Sequence, residues 1–307
     1  MVTHELLADI EGIERNVALY EEINFSSRAE ALNFLEFHVL DRLDGLLMAQ
    51  NPAADLLALR QRAQQVKHRL EATDESLFQQ LRADIRAGRC RGQALRTRLT
   101  AYAPTEGSTG HSDAPEIGYD ALDDFTNGLF TSQVLPDETI AKEPEMVFYQ
   151  KTPARIILDL VGRAQLTTED VFYDIGAGLG QVPILVHLLS GAVAKGIEIE
   201  PAYCALATAW AADLQLPGVT FIAADARRAD YSDGTVFFLY TPFRGSILQA
   251  VLAELRRQAQ HRCITLFTYG PCTFPIAEEC WLRCADESKV HLYQLCEFRS
   301  CPAGHGL

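Results

Sequence analysis

Residues 171–200 read VFYDIGAGLGQVPILVHLLSGAVAKGIEIE. The run opens on Val171, Phe172 and Tyr173, β-branched and aromatic residues that suit a strand. An acid follows, Asp174, and then glycines at alternate positions, Gly176, Gly178 and Gly180. The apolar run Val182–Leu189 reads as a helix, and Ala192–Ile197 as a second strand that ends on Glu198. Strand, glycine turn, helix, strand, acid is the order of the nucleotide-binding half of a doubly wound α/β sheet. Glycines suit the turn because side chains there would hold the backbone away from a ligand. An acid at the tip of the second strand is placed to accept hydrogen bonds from two ribose hydroxyls.

The glycine spacing decides between ligands. The dinucleotide fingerprint is G-x-G-x-x-G, with a helix N-terminus facing a pyrophosphate. Here the spacing is G-x-G-x-G, and Asp174 stands two residues before the first glycine. A carboxylate there repels a pyrophosphate and suits an ammonium. S-adenosyl-L-methionine (SAM) carries a methionine ammonium and no phosphate, so the pattern points to SAM; NAD or FAD binding and a purely structural turn are the alternatives.

Downstream the α/β order continues. Pro201–Leu214 reads as a helix, Val219–Ala223 as the third strand with Asp225 just beyond it, and Thr235–Tyr240 as the fourth. A helix over Ser246–Gln258, a fifth strand over Cys263–Thr268 and an antiparallel hairpin of Cys280–Ala285 and Val290–Arg299 close the pattern, with a short or missing helix before the hairpin. Asp225 is placed to accept from the adenine amino group, or else is a surface turn acid. The methyl acceptor belongs at the end of the fourth strand, where Tyr240, Thr241 and Phe243 are the candidate catalytic residues: Thr241 to accept a hydrogen bond from the acceptor, Tyr240 and Phe243 to line its slot. Methyl transfer from a sulfonium is an in-line displacement that needs orientation and exclusion of water, so no catalytic triad is expected.

The 307 residues are 48% hydrophobic and 22% charged, long enough for two domains. No apolar run approaches the ~20 residues of a membrane span, and the N-terminus has no basic-then-apolar signal pattern; a cytoplasmic location is the expectation. Eight cysteines, six of them beyond residue 260, read as free, buried thiols on strands. Cys280, Cys284, Cys296 and Cys301, with His261, His291 and His305, do not have the usual metal-ligand spacing, and no metal is expected. The net charge of −14 is uneven: residues 1–102 hold 13 basic and 15 acidic groups, 103–148 hold 1 and 10, and 149–307 hold 13 and 16. That balance argues against broad nucleic-acid binding.

The N-terminal third has helical periodicity throughout, so an α-helical bundle domain is expected over 1–102. A first helix spans 3–22. Ser27-Arg-Ala-Glu30 reads as a capping box opening a second helix, Asn51-Pro52 opens a third that runs to Glu71, Thr73 caps a fourth that ends near Gly88, and a fifth runs from Gln93 to Tyr102. Arg82, Arg86, Arg89, Arg91, Arg96 and Arg98 fall within 17 residues around a single acid, Asp84, and read as a solvated face, or else as a dock for an acidic partner or RNA. Residues 103–143 read as an acidic linker with at most one helix, around Ala121–Phe130, and Thr152-Pro153 as the cap of a helix that precedes the first strand.

The run PEMVFYQKTPARIILDLV, with LTTEDVFYDIGAGLGQV and KGIEIEP after it, resembles the core of the non-SET histone-lysine methyltransferases, the disruptor-of-telomeric-silencing family, within the seven-stranded class I SAM-dependent methyltransferases. Tyr149 and Thr152 fall on the ends of that family's Tyr-Gly-Glu-Thr loop; Asp174, Gly176, Gly178, Gly180 and Gln181 fall on its Asp-Leu-Gly-Ser-Gly-Val-Gly-Gln-Val motif, and Glu198 on its Gly-Val-Glu. The resemblance covers residues 144–205 and implies that the Tyr149–Thr152 loop folds over the methionine part of SAM, with Gln181 touching it. Gln150-Lys151 replaces the loop's Gly-Glu, and Tyr-Thr-Pro-Phe replaces the Asn-Asn-Phe that ends strand four, so the histone substrate does not carry over.

The expectation is therefore a Rossmann-like class I methyltransferase domain over 144–307, preceded by a helical domain that caps the acceptor site or supports a homodimer. Its acceptor is a protein side chain or a small molecule. Two other classes stay open: a SAM-binding or degenerate scaffold acting through the helical domain, and an RNA methyltransferase using the arginine stretch.

Overall fold

The computed structural model describes residues 2–49, 54–102, 119–131, 134–285 and 291–300. The chain separates into a helical unit (Met1–Cys90, Arg96–Thr109, Asp120–Thr131) and a sheet-bearing unit (Arg91–Leu95, Gly110–Tyr119, Ser132–Leu307). Most of the expected linker, residues 103–118, lies outside the described residues, as do Asn51 and Pro52. No helix among the described residues is long and apolar enough to cross a membrane.

In the helical unit, α1 (Val2–Arg15) is followed by short 3-10 turns, and α2 (Phe25–Phe34) continues through a π-helical turn (Leu35–Leu40) into α3 (Asp41–Ala49). The expected capping box at Ser27 does not form: α2 begins two residues earlier, at Phe25, with no side-chain cap. The third and fourth helices expected on either side of Thr73 are one 33-residue helix, α4 (Ala54–Arg86). Thr73 does not cap, because its hydroxyl donates to the Arg69 carbonyl 3.1 Å away, one turn back in an unbroken helix. After α5 (Gln93–Tyr102), the short α6 (Ala121–Asn127) is opened by a capping box on Asp120 and Asp123 and belongs to the helical unit, where Phe125 meets Phe25, Phe78 and Tyr102 at ring-centroid distances of 5.2–5.6 Å. Leu6, Ile10, Leu35, Val39, Leu43, Val66 and Leu70 form the rest of the core.

The arginine stretch is not a uniformly solvated face. Arg82 is 6% exposed and donates to the Gly128 carbonyl and to Glu75, both at 2.9 Å. Arg89 and Arg98 both pair with Asp84, at 2.8 and 3.0 Å. Arg28, which sequence reading placed in a cap, is fully buried: its Nε meets Asp74 at 2.6 Å and its Nη1 donates to the carbonyls of Leu19 and Glu21.

In the sheet-bearing unit, α7 (Ala154–Ala164) starts at Pro153 with no side-chain cap, so Thr152 does not have its expected capping role. There follow β1 (Val171–Ile175), α8 (Gln181–Ser190), β2 (Val193–Glu198), α9 (Pro201–Asp213), β3 (Val219–Ala223), β4 (Val236–Tyr240), α10 (Gly245–Ala259), β5 (Thr265–Tyr269), the five-residue α11 (Thr273–Ala277), β6 (Leu282–Cys284) and β7 (Cys296–Ser300). These make one seven-stranded sheet in the order β3-β2-β1-β4-β5-β7-β6, with β7 antiparallel to both neighbours. This is a Rossmann-like α/β sheet. Its central strands β1, β4 and β5 are buried on both faces, which is why Phe172, Phe237, Phe238, Leu239 and Phe267 run together without polar alternation. Because β1 pairs with β2 on one side and β4 on the other, the strand order reverses there, and a crevice opens beyond the carboxyl ends of these strands.

The cysteines are only partly as expected. Cys272 and Cys296 are buried, but Cys263 and Cys280 are exposed and lie outside the strands. No group of three metal-ligating side chains occurs among the described residues.

Arg28→Ala is expected to destabilise the helical unit by about 3 kcal/mol, since it leaves the Leu19 and Glu21 carbonyls and Asp74 without their donor. Urea unfolding followed by circular dichroism measures this.

Candidate functional site

The crevice holds a cavity of about 310 Å³ whose floor is the glycine turn after β1. Gly176, Gly178 and Gly180 all have positive φ, at 83°, 52° and 78°. All three are also tight: a methyl on Gly176 would overlap the Pro242 ring, one on Gly178 the Tyr149 ring, and one on Gly180 the Phe221 ring. The turn thus tolerates no side chain at any of the three places, on conformational as well as steric grounds.

Asp174, on β1, is 4% exposed. Burial, and then the Glu198 carboxylate, holds its carboxyl well above the ordinary range. Glu198, at the end of β2, accepts from the Gly178 amide at 2.8 Å and the Glu200 amide at 2.9 Å. Burial raises its carboxyl more than these two amides lower it. No ion pair with a described residue reaches either acid. Thr152 and Gln181, both buried, line a small cleft with Asp174, Gly176 and Tyr149, so the Tyr149–Thr152 segment and the first turn of α8 meet at the acid.

Asp225 lies at the cavity, just past β3, and is already engaged: both its oxygens take the Arg227 guanidinium, at 2.6–3.0 Å. Arg227 also bridges to Glu143. Hydrogen bonding from Arg227 holds the Asp225 carboxyl below its usual value.

Beyond β4, Thr241 has φ +39°, a left-handed conformation that is strained for a β-branched residue. Its hydroxyl donates to the Tyr269 carbonyl at 3.3 Å and accepts from the Cys272 amide at 3.2 Å. Thr241 therefore ties the ends of β4 and β5 together, and its hydroxyl is not free to guide an acceptor. Phe243 is 6% exposed and joins the core while touching the cavity. Tyr240 stands differently: its ring lies 5.0 Å from that of Tyr269, both facing the cavity, and its hydroxyl is shielded with no hydrogen-bond partner. Burial raises the phenols of Tyr240 and Tyr269, so both are neutral donors.

Sequence reasoning missed the segment over the cavity. Residues 138–149 run across it as a strap and contribute Ile140, Lys142, Met146 and Phe148 to its wall. Glu145 accepts from the Ser246 hydroxyl and the Ile247 amide at the start of α10, and the Val147 amide donates to the Pro242 carbonyl at 3.0 Å. At the other end, Glu200 accepts from the amides of Thr139 and Ile140 and from the Thr139 hydroxyl, at 2.7–2.9 Å. Burial alone would raise Glu200, but these bonds and one from the Ala202 amide bring its carboxyl down to about 2. The dipeptide Glu200-Pro201, an acid before a proline at a helix start, is the one local signal that marks it.

No family model matches the chain, and no curated protein does. Among solved structures, an RNA methyltransferase from Salinibacter ruber in complex with S-adenosyl-L-homocysteine is similar over 50% of this chain and 95% of its own, at 25% identity and a TM-score of 0.39. Precorrin-6y C5,15-methyltransferase from Geobacter metallireducens is similar over 53% and 94%, at 19% identity and 0.36. A geranyl diphosphate C-methyltransferase from Streptomyces coelicolor is similar over 38% of this chain and only 44% of its own, at 17% identity and 0.34. The functional reading is carried by the residues of the site itself.

Because burial raises the folded-state values of Asp174 and Glu198, the folded protein binds more protons than the unfolded chain above about pH 4, and its stability falls as pH rises from there. Asp174→Asn removes part of that penalty. It is expected to stabilise the ligand-free protein by about 1 kcal/mol or more at pH 7, with the gain fading towards pH 4, as thermal melts across that range would read.

Proposed function

We propose that the sheet-bearing unit is a SAM-dependent methyltransferase whose acceptor is a protein side chain or a small molecule. One observation carries the reading: two acids, the buried Asp174 and the half-buried Glu198, flank a side-chain-free turn, with no cation among the described residues to offset them. A ligand with an ammonium at one end and a ribose at the other meets both needs, and the raised carboxyls return to their charged form when it arrives. A phosphate-bearing dinucleotide meets neither.

When bound, SAM supplies a methyl group already activated on a sulfonium. Asp174 faces the ammonium, while Glu198 receives the ribose hydroxyls, its orientation fixed by the amides of Gly178 and Glu200. The Tyr149–Thr152 segment and Gln181 close on the methionine end. Asp225 stands at the adenine end, where an amino group competes with Arg227 for its lone pairs. Tyr240 and Tyr269 form the acceptor wall: their rings exclude water, and the partnerless Tyr240 hydroxyl orients the atom to be methylated. Thr241 positions that wall from behind. No general base is required of the protein, because orientation of the two reactants supplies most of the rate.

The cavity does not favour a nucleic-acid acceptor. Among the described residues, Lys142 is the only lysine on its wall, engaged by Glu138 at 2.6 Å and by the Phe148 ring, and no arginine lines it. Phosphate contacts, which dominate nucleic-acid affinity, would find no free cation among those residues.

Titration calorimetry should show SAM binding in the wild-type protein, weakened roughly 10- to 100-fold in Asp174→Ala and in Glu198→Ala, the loss expected for a hydrogen bond to a charged group. Unaltered binding in both variants would sink the assignment. Methyl transfer assayed across peptide and small-molecule acceptors then separates an enzyme from a scaffold: tight SAM binding without turnover on any of them favours the scaffold.

A further inference from the structure

We infer that Glu200 is a positioning residue whose carboxylate clasps the 138–149 strap over the cofactor pocket and so sets how fast the cofactor exchanges. The inference rests on the proposed SAM site, and it assigns a role to residues outside the glycine turn and the strand tips.

The clasp is built from one side chain. Glu200 is 5% exposed, and its two oxygens receive four donors: the Thr139 amide at 2.7 Å, the Thr139 hydroxyl at 2.8 Å, the Ile140 amide at 2.9 Å and the Ala202 amide at 3.0 Å. Three of the four belong to the strap. The fourth is the first turn of α9, where Glu200 is the N-cap and the helix end favours negative charge. Lifting the strap leaves a buried carboxylate with a single partner. Charge-assisted bonds of this kind are about twice as strong as neutral ones, and an unsatisfied buried charge is costly. The strap therefore has a well-defined closed position.

That closed position bears on the cofactor. Ile140 and Lys142, just past the clasp, form part of the cavity wall, and Glu138, just before it, takes the hydroxyl of Tyr203, another wall residue, at 2.8 Å. The Glu200 amide in turn donates to Glu198, the acid assigned to the ribose. One residue thus links the ribose acid, the start of α9 and the covering segment. At the far end the strap is pinned by Glu145 and Val147, so an opening that admits the cofactor requires release at Glu200. Lids of this type commonly govern exchange and product release.

The experiment measures the dissociation rate of S-adenosylhomocysteine from the full chain by stopped-flow displacement, alongside melting temperature. Glu200→Gln replaces one acceptor oxygen by an amide that faces N–H donors, and should speed dissociation at least tenfold. Thr139→Ala removes one strap donor without touching the helix cap, and should speed it several-fold with little change in melting temperature; Thr139→Ser, which keeps the donor, should restore slow exchange. Should Glu200→Gln fail to fold, the Thr139 pair decides. Dissociation within twofold of wild type in Thr139→Ala, whatever the melting temperature of Glu200→Gln, overturns the clasp and leaves the SAM site standing. Absence of any binding by the wild-type protein overturns both.

Discussion

Two neighbouring carboxylates, one buried and one half-buried, with no cation among the described residues paired to either, dominate this molecule. Asp174 and Glu198 sit on adjacent parallel strands and face one crevice, and each is held above its ordinary protonation range by burial. A fold does not place acids there for stability: the arrangement weakens the ligand-free protein and is offset only by something that brings positive charge and hydroxyl donors. The sheet supports the cost by surrounding the site with a dense apolar core, Phe237, Leu239, Ile247 and Val251 among it.

Other features of the site follow from that pair. The glycine turn lines the cavity with backbone instead of side chains, and its tightness against Pro242 and Tyr149 joins it to the end of β4 on one side and the strap on the other. Glu200, two residues from Glu198, is the electrostatic opposite of its neighbour. Burial acts on it too, yet its hydrogen bonds outweigh the desolvation and keep it ionised. The difference lies in the donors: Glu198 receives two amides and keeps capacity for a ligand, whereas Glu200 is saturated by the protein itself.

The proposed acceptor side is governed by neutrality. Tyr240 and Tyr269 present rings and hydroxyls, and other charges on the cavity wall are held in internal pairs, Glu138 with Lys142 and Asp225 with Arg227. Thr241, which strand order made the obvious candidate to touch an acceptor, is engaged in holding the β4 and β5 ends together. Its neighbour Tyr240, expected to line the acceptor slot, has the hydroxyl without a partner.

The sequence by itself determined the sheet and the floor of the site. The order from Val171 to Glu198 rests on local physics: β-branched runs, a turn that only glycine satisfies at positive φ, and a helix directly after it, all within 30 residues. The boundaries of β3 were legible to the residue for the same reason. What only the tertiary structure decided depends on partners far away in the chain. Thr139 and Ile140 reach Glu200 across about 60 residues, Arg28 reaches Asp74 across 46, and Arg227 reaches Glu143 across 84. Local signals also misled where a longer-range packing demand outweighed them, as at Thr73, whose capping preference yields to the continuous helix that buries Val66, Leu70 and Leu77 along one face. A side chain's neighbours along the chain reveal its backbone conformation, and only the folded packing reveals which group satisfies its charge.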